Sequence, residues 1–206
     1  KMPMPLYIKP NRKLSVRDVQ QGMRNHYENT DLDMTNDPGA GPYKVPYRWR
    51  PMHFTVDGQE YLNERAIATQ QTGFVIVPQM RNWLPDPIGG ILWFGADDAD
   101  MTVFNPIYCA SLHAPECYRV GNGDLLNFSW TAAFWIHNWV ANMAYHKYNF
   151  MIQDIRKVQN EIENSYEITL PAIEKAATTP KLKTPQTQIY YVSENQNVNL
   201  LKNSTT

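Results

Sequence analysis

The chain has 206 residues, enough for one domain with a substantial core. Nineteen basic and twenty acidic side chains leave a net charge of −1, and basic runs never exceed pairs such as Arg12-Lys13, which excludes an electrostatic footprint for nucleic acid. No stretch holds the ~20 apolar residues of a membrane span; the most apolar, Trp130 to Tyr145, is interrupted by His137, Asn138 and Asn142.

After an extended, proline-punctuated entry, Ser15 and Asp18 have the spacing of a capping box. Val16, Val19, Met23 and Tyr27 follow at helical intervals, so the pattern predicts a helix over about Ser15 to Tyr27. Asp37-Pro38-Gly39-Ala40-Gly41-Pro42 is a turn-rich loop. From Arg48 to Ile107 the signals are those of strands, with runs at Arg65–Gln70, Gly73–Val77, Ile91–Phe94 and Met101–Phe104. The period then changes. Trp130, Phe134, His137, Ala141, Ala144, Tyr148, Met151, Ile155, Val158 and Ile162 recur at gaps of three and four. They predict one helix from about Ser129 to Glu163, roughly 50 Å long. Beyond Pro171 the composition turns to Thr, Pro, Asn and Gln. The expectation is a domain over 1–178 and an extended or poorly ordered tail over 179–206. Six Trp, twelve Tyr and seven Phe exceed the needs of a small core and suit pocket walls or packing faces.

Several residues carry candidate chemistry. Arg48 and Arg50 alternate around Trp49, so on a strand both guanidinium groups share a face and are shaped for a carboxylate. They would equally tie down the acidic loop at Asp31, Asp33 and Asp37. Asp97, Asp98 and Asp100 follow an apolar strand, where carboxylates receive an ammonium group, hold calcium or cap a turn. Cys109 and Cys117 flank His113. Their spacing admits a disulfide, two separate thiols, a thiol nucleophile beside a histidine base, or the start of a metal site that lacks further local ligands. A disulfide would fit a secreted or periplasmic protein, and its absence a cytoplasmic one.

The runs Lys13–Val16, His26-Tyr27-Glu28-Asn29-Thr30, Gly41-Pro42-Tyr43, Pro46–Pro51, Arg81–Asp86 and Ala133-Phe134-Trp135, with the stretch from Trp83 to Asp100, together resemble the bacterial cysteine dipeptidases of the PepD type, within the N-terminal-nucleophile hydrolases. The resemblance spans Pro5 to about Glu163 and looks like the carboxyl-terminal part of that family. It implies an α+β fold, part of a four-layer α-β-β-α sandwich with mainly antiparallel strands and a long C-terminal helix. It also implies hydrolysis of unblocked dipeptides, without metal or cofactor, by a cysteine at the mature amino terminus. This chain begins Lys1-Met2-Pro3, so the expected nucleophile lies upstream and the chain alone is expected to be inactive. On the same basis Arg65 is the candidate for the arginine that stabilises the thiolate. Arg48 and Arg50 would receive the dipeptide carboxylate, and Asp97 and Asp98 its ammonium group. The expected partners are a dipeptide and either the missing amino-terminal segment or a second copy of the chain, with no nucleic acid and no membrane. A non-catalytic binding or structural module on the same framework is the alternative. A self-contained thiol hydrolase using Cys109 with His113 is a third reading.

Overall fold

A computed structural model describes residues 5–47, 53–62 and 65–178. The fold is α+β, with two small antiparallel sheets and a long C-terminal helix. Helix α1 (Val16–Met23) starts as its sequence dictates. The Ser15 hydroxyl accepts from the Asp18 amide, and the Asp18 carboxylate accepts from the Ser15 amide at 2.8 Å. The helix stops short of the expected Tyr27, because Tyr27 and Asn29 take positive φ angles of 64° and 62° that no helix tolerates.

Strands β1 (His53–Val56) and β2 (Gln59–Leu62) form a hairpin that the sequence analysis did not single out. Its signal is Asp57-Gly58, with both φ angles positive (50° and 75°) as a two-residue type I′ turn requires. Strand β3 (Phe74–Met80), a short turn α2 (Asp86–Gly89), strand β4 (Gly90–Ala96) and strand β5 (Asn105–Tyr108) build the main sheet in the order β3-β4-β5. One sheet face is buried. Val75, Val77, Ile91, Trp93 and Tyr108 pack with Tyr166, Leu170 and Ala177 of the last helix. The opposite face is also apolar: Phe74 stacks on Phe94 at 6.0 Å, with Ile76 and Met80 beside them exposed. Apolar residues on both faces mark a sheet built to be covered on both sides.

The single helix expected over Ser129–Glu163 is two helices, α3 (Ala133–Ala144) and α4 (Tyr148–Ala177). The break lies where another segment crosses. The Asn149 amide donates to the Tyr43 carbonyl at 3.0 Å instead of to its helical partner at Tyr145. At its far end α4 runs past Glu163 and through Pro171 to Ala177. A mid-helix proline costs ~3 kcal/mol. Burial of Tyr166, Leu170 and Ala177, with the Arg81–Glu174 ion pair at 2.6 Å, offsets it.

Two other expected strands are irregular chain. The Arg65–Gln70 run spends its hydrogen bonds on the α1 exit loop, with the Ala68 amide on the Asn25 carbonyl (3.2 Å) and the Tyr27 hydroxyl on the Arg65 carbonyl (2.6 Å). The Met101–Phe104 run is buried but satisfied by the Asp98 carbonyl and by side chains rather than by a neighbouring strand. The proposed tail, residues 179–206, lies outside the described residues, as do Arg48, Arg50 and Glu64.

Candidate functional site

The chain from Asp97 to Phe104 leaves the end of β4 and runs through the interior. Buried backbone needs partners for every N–H and C=O, and here distant side chains supply them. Gln159 donates to the carbonyls of Asp100 (2.9 Å) and Thr102 (2.7 Å). Arg24 donates to the Thr102 carbonyl (2.9 Å), and the Phe104 amide donates to Glu163 (3.0 Å). The Val103 amide donates to His137 Nε2 at 3.4 Å, while the Ala133 carbonyl accepts from Nδ1 at 2.9 Å. Burial holds the His137 pKa down to about 4, so the imidazole is neutral and its two nitrogens play fixed roles. Gly95 permits this close approach, since a Cβ there would meet Thr102 Cγ2 at 2.4 Å. Glu163 is the hub. Arg24 and Arg17 both pair with it, and with the Phe104 amide they join α1, the 97–104 segment and α4.

The three aspartates head this segment. Asp97 sits at φ 66°, a left-handed conformation that Asp tolerates, and accepts from Asn138 at 3.3 Å; burial raises its pKa. Asp98 accepts from the Tyr47 hydroxyl (3.0 Å), the Tyr145 hydroxyl (2.9 Å) and the Asp100 amide (2.9 Å). Burial, and then the nearby Asp100 charge, push the Asp98 pKa up to about 6. Asp100 pairs with Arg156 and accepts from the Tyr148 hydroxyl at 2.8 Å. The phenols of Tyr47, Tyr145 and Tyr148 are raised well above the usual range by burial and then by these carboxylates, so they act as hydrogen-bond donors.

The two signature stretches of the sequence therefore meet. Tyr47, from the loop that starts at His26, is bonded to Asp98, 51 positions away. Its ring lies edge-on to His26 at 5.1 Å and to Tyr145 at 5.2 Å. His26 is fully buried and clasped to Glu28 through its backbone amide (2.7 Å) and Nδ1 (3.1 Å). Arg48 begins one residue beyond this anchor, and Arg48 and Arg50 lie outside the described residues. Arg65 is exposed and joins the same loop through its carbonyl. Asp97 and Asp98, candidates for an ammonium group, are both buried, with Asp98 already accepting from two tyrosines. No disulfide joins Cys109 and Cys117 in this structure. Cys109 is exposed at the end of β5, whereas Cys117 is buried against Ala96 and Ala133. Sequence spacing missed Tyr145, Tyr148, Arg156, Gln159 and Glu163 as parts of this assembly. Only Arg156, Gln159 and Glu163 carried a signal, as polar positions along an otherwise apolar helical stripe.

A pocket of about 220 Å³ opens beside the assembly, between α3, α4 and the turn at Glu116–Tyr118. Met101, Val103, Ile136, Ile155 and Val158 make it mainly apolar. In its polar lining, Asn105 bridges the hydroxyls of Tyr118 and Tyr166, each at 2.6 Å. Among the described residues, no three His, Cys, Asp or Glu side chains converge as metal ligands, and no helix is long and apolar enough to cross a membrane.

Comparison with known proteins gives the family. Residues 1–161 match peptidase family C69, and the chain belongs to that family. It is 25% identical over 173 residues to a probable dipeptidase of Latilactobacillus sakei, a match covering 84% of this chain and 32% of that protein. It is 25% identical over 178 residues to probable dipeptidase B of Lactococcus lactis subsp. lactis, covering 80% and 33%. It is 21% identical over 163 residues to dipeptidase A of Lactobacillus helveticus, covering 79% and 28%. The chain thus spans about a third of the length of these curated relatives.

Proposed function

We propose that this chain is the framework and pocket-wall part of a cysteine-type dipeptidase that hydrolyses unblocked dipeptides. The family match over residues 1–161 carries the proposal, and three relatives named as dipeptidases support it. The nucleophile is a cysteine outside this chain, acting with its own α-amine as base. Cys109 lacks that amine because it is internal. The open apolar face around Phe74 and Phe94 fits a second sheet contributed by the remainder of such an enzyme, completing a four-layer sandwich.

Tyr47, the residue before Arg48 in the chain, donates to Asp98 at 3.0 Å. The two arginines are the fork for the dipeptide carboxylate, since paired guanidinium groups match a carboxylate bidentately. The Tyr47 and Tyr145 hydroxyls already held by Asp98 make it a positioning group for Tyr47 in this proposal, with Asp97, bonded to Asn138, the remaining candidate for the substrate ammonium. The test uses the complete enzyme, with free and carboxyl-amidated dipeptides compared for Arg48→Lys and Arg50→Lys. Lysine keeps the charge but loses the fork. At the functional position kcat/KM for the free dipeptide should fall roughly ten- to a hundredfold, with a smaller loss for the amide. Unchanged preference in both variants would overturn the assignment.

A further inference from the structure

Four carboxylates are buried among the described residues: Asp97, Asp98, Asp100 and Glu163. A buried charge is costly unless it is paired or well hydrogen-bonded. Glu163 has Arg24 and Arg17, Asp100 has Arg156, and Asp98 has the hydroxyls of Tyr47 and Tyr145. Asp97 has far less. Among the described residues no cation pairs with it, and the one side chain that donates to it is Asn138 on α3, at 3.3 Å. Its backbone is nevertheless closely held, at the left-handed φ of 66° and with its amide on the Gly73 carbonyl at 2.9 Å. Asn138 is held in turn. Asn142, one helical turn on, donates through Nδ2 to the Asn138 carbonyl (2.8 Å) and to Asn138 Oδ1 (3.0 Å). A backbone carbonyl only accepts, so it fixes which end of the Asn142 amide faces it. Oδ1 of Asn138 is then occupied, and its Nδ2 is the end that meets the Asp97 carboxylate.

We infer that Asn138 is a positioning residue: it holds the Asp97 carboxylate ready for the substrate ammonium group, with Asn142 setting the sense of its amide. The inference rests on the reading of Asp97, proposed above, as the group that receives that ammonium. A dipeptide then brings the cation that Asp97 lacks among the described residues. Burial raises the Asp97 pKa, and the Asn138 hydrogen bond, with the Asp98 amide, opposes the rise, because an N–H donor favours the charged form. The charged form is the one that attracts an ammonium group. The titratable neighbours give no help. Asp98 follows in the chain, Asp100 beyond it is spent on Arg156, and Tyr145 just after α3 stays protonated in the field of Asp98 and Asp97. His137, next to Asn138 on α3, is neutral. The offset to burial therefore falls to the Asn138 donor.

Carboxyl-carbon NMR on residues 1–206 reads the Asp97 pKa directly, with its signal assigned by its loss in Asp97→Asn. Asn138→Leu keeps the bulk and removes the donor, so the Asp97 pKa should rise by roughly one unit, as fits a long charge-assisted hydrogen bond. Asn142→Ala, at an exposed position, should raise it in the same direction by less. An unchanged Asp97 pKa in both variants overturns the role of Asn138, whatever Asp97 binds. Should Asn138→Leu fail to fold by circular dichroism, Asn142→Ala alone decides. The complete enzyme tests the reading beneath, by comparing inhibition by a dipeptide with inhibition by its des-amino analogue. Asp97→Asn should cut the preference for the dipeptide roughly tenfold or more, and Asn138→Leu should move the acid limb of kcat/KM to higher pH, mainly through KM. A preference left intact in Asp97→Asn overturns the ammonium reading, and the inference with it, even where the NMR shift is found.

Discussion

Replacing Glu163 with Ala should remove a large share of the stability of this domain. The carboxylate is almost fully buried and receives the Arg24 guanidinium, which is only 2% exposed, together with Arg17 and the Phe104 amide. Without it Arg24 keeps the Thr102 carbonyl at 2.9 Å and the Phe104 ring at 4.8 Å, and the Phe104 amide loses its acceptor. Breaking a buried pair from one side costs about 3–5 kcal/mol, because the surviving charge stays buried and uncompensated. Domains of this kind have ~5–15 kcal/mol in total. With urea slopes of about 1–3 kcal/mol per molar, the unfolding midpoint should fall by roughly 2 M, read from tryptophan fluorescence. Arg24→Leu with Glu163→Leu should recover much of the loss, since neither charge then remains. The control is Glu167→Ala, whose partner Arg17 retains Glu163 and Asn164; as an exposed contact it should cost under about 1 kcal/mol. If Glu163→Ala unfolds within about 1 kcal/mol of the parent, the hub role assigned to Glu163 is wrong.

Two further perturbations follow from the same interior. His137 is held at about 4, below the ordinary value of 6.5, so the stability it contributes is complete above pH 6.5 and is lost as the pH falls through 4, by up to about 3 kcal/mol. Asp98, raised to about 6 by burial and then by Asp100, has the opposite sign: its contribution is present at low pH and is lost as the pH rises through 6. Urea midpoints should therefore change little between pH 6 and 4 in the parent, fall steeply in Asp98→Asn and rise in His137→Asn; identical profiles in all three would refute the assignment. Gly95→Ala forces a methyl group against Thr102 Cγ2 and Val75, where a Cβ has 2.4 and 2.9 Å. It should cost about 1–3 kcal/mol in thermal or urea unfolding, and Gly95→Ala with Thr102→Ser should recover part of that.

Local rules read best where neighbours in sequence decide the structure. The capping box at Ser15 and Asp18, the β4 run after Gly89-Gly90 and the helical period across α3 and α4 are such cases, and all three are in the fold. The rest depends on partners far along the chain. Met101–Phe104 has strand composition, but Gln159, Arg24, His137 and Glu163 take backbone bonds of this run, and no periodicity reports contacts across 34 to 78 residues. The gap between α3 and α4 likewise follows from Tyr43 crossing at Asn149. The helix was expected to end at about Glu163, but burial of Leu170 and Ala177 carries α4 on through Pro171. Of the candidate site, the stretches holding Tyr47 and the Asp97–Asp100 run were legible as motifs. Their meeting through hydroxyl–carboxylate bonds was not, because Tyr145 and Tyr148 looked like ordinary members of an apolar stripe.

The most direct measurement of the central claim is a dipeptidase assay on purified residues 1–206, using a panel of unblocked dipeptides and a fluorogenic amine readout, with Cys109→Ala in parallel. The chain should show no turnover above a blank, and Cys109→Ala should behave identically, if the nucleophile belongs, as proposed, to a segment outside it. Turnover by the parent that disappears in Cys109→Ala would contradict this and make the exposed thiol at the end of β5 the nucleophile.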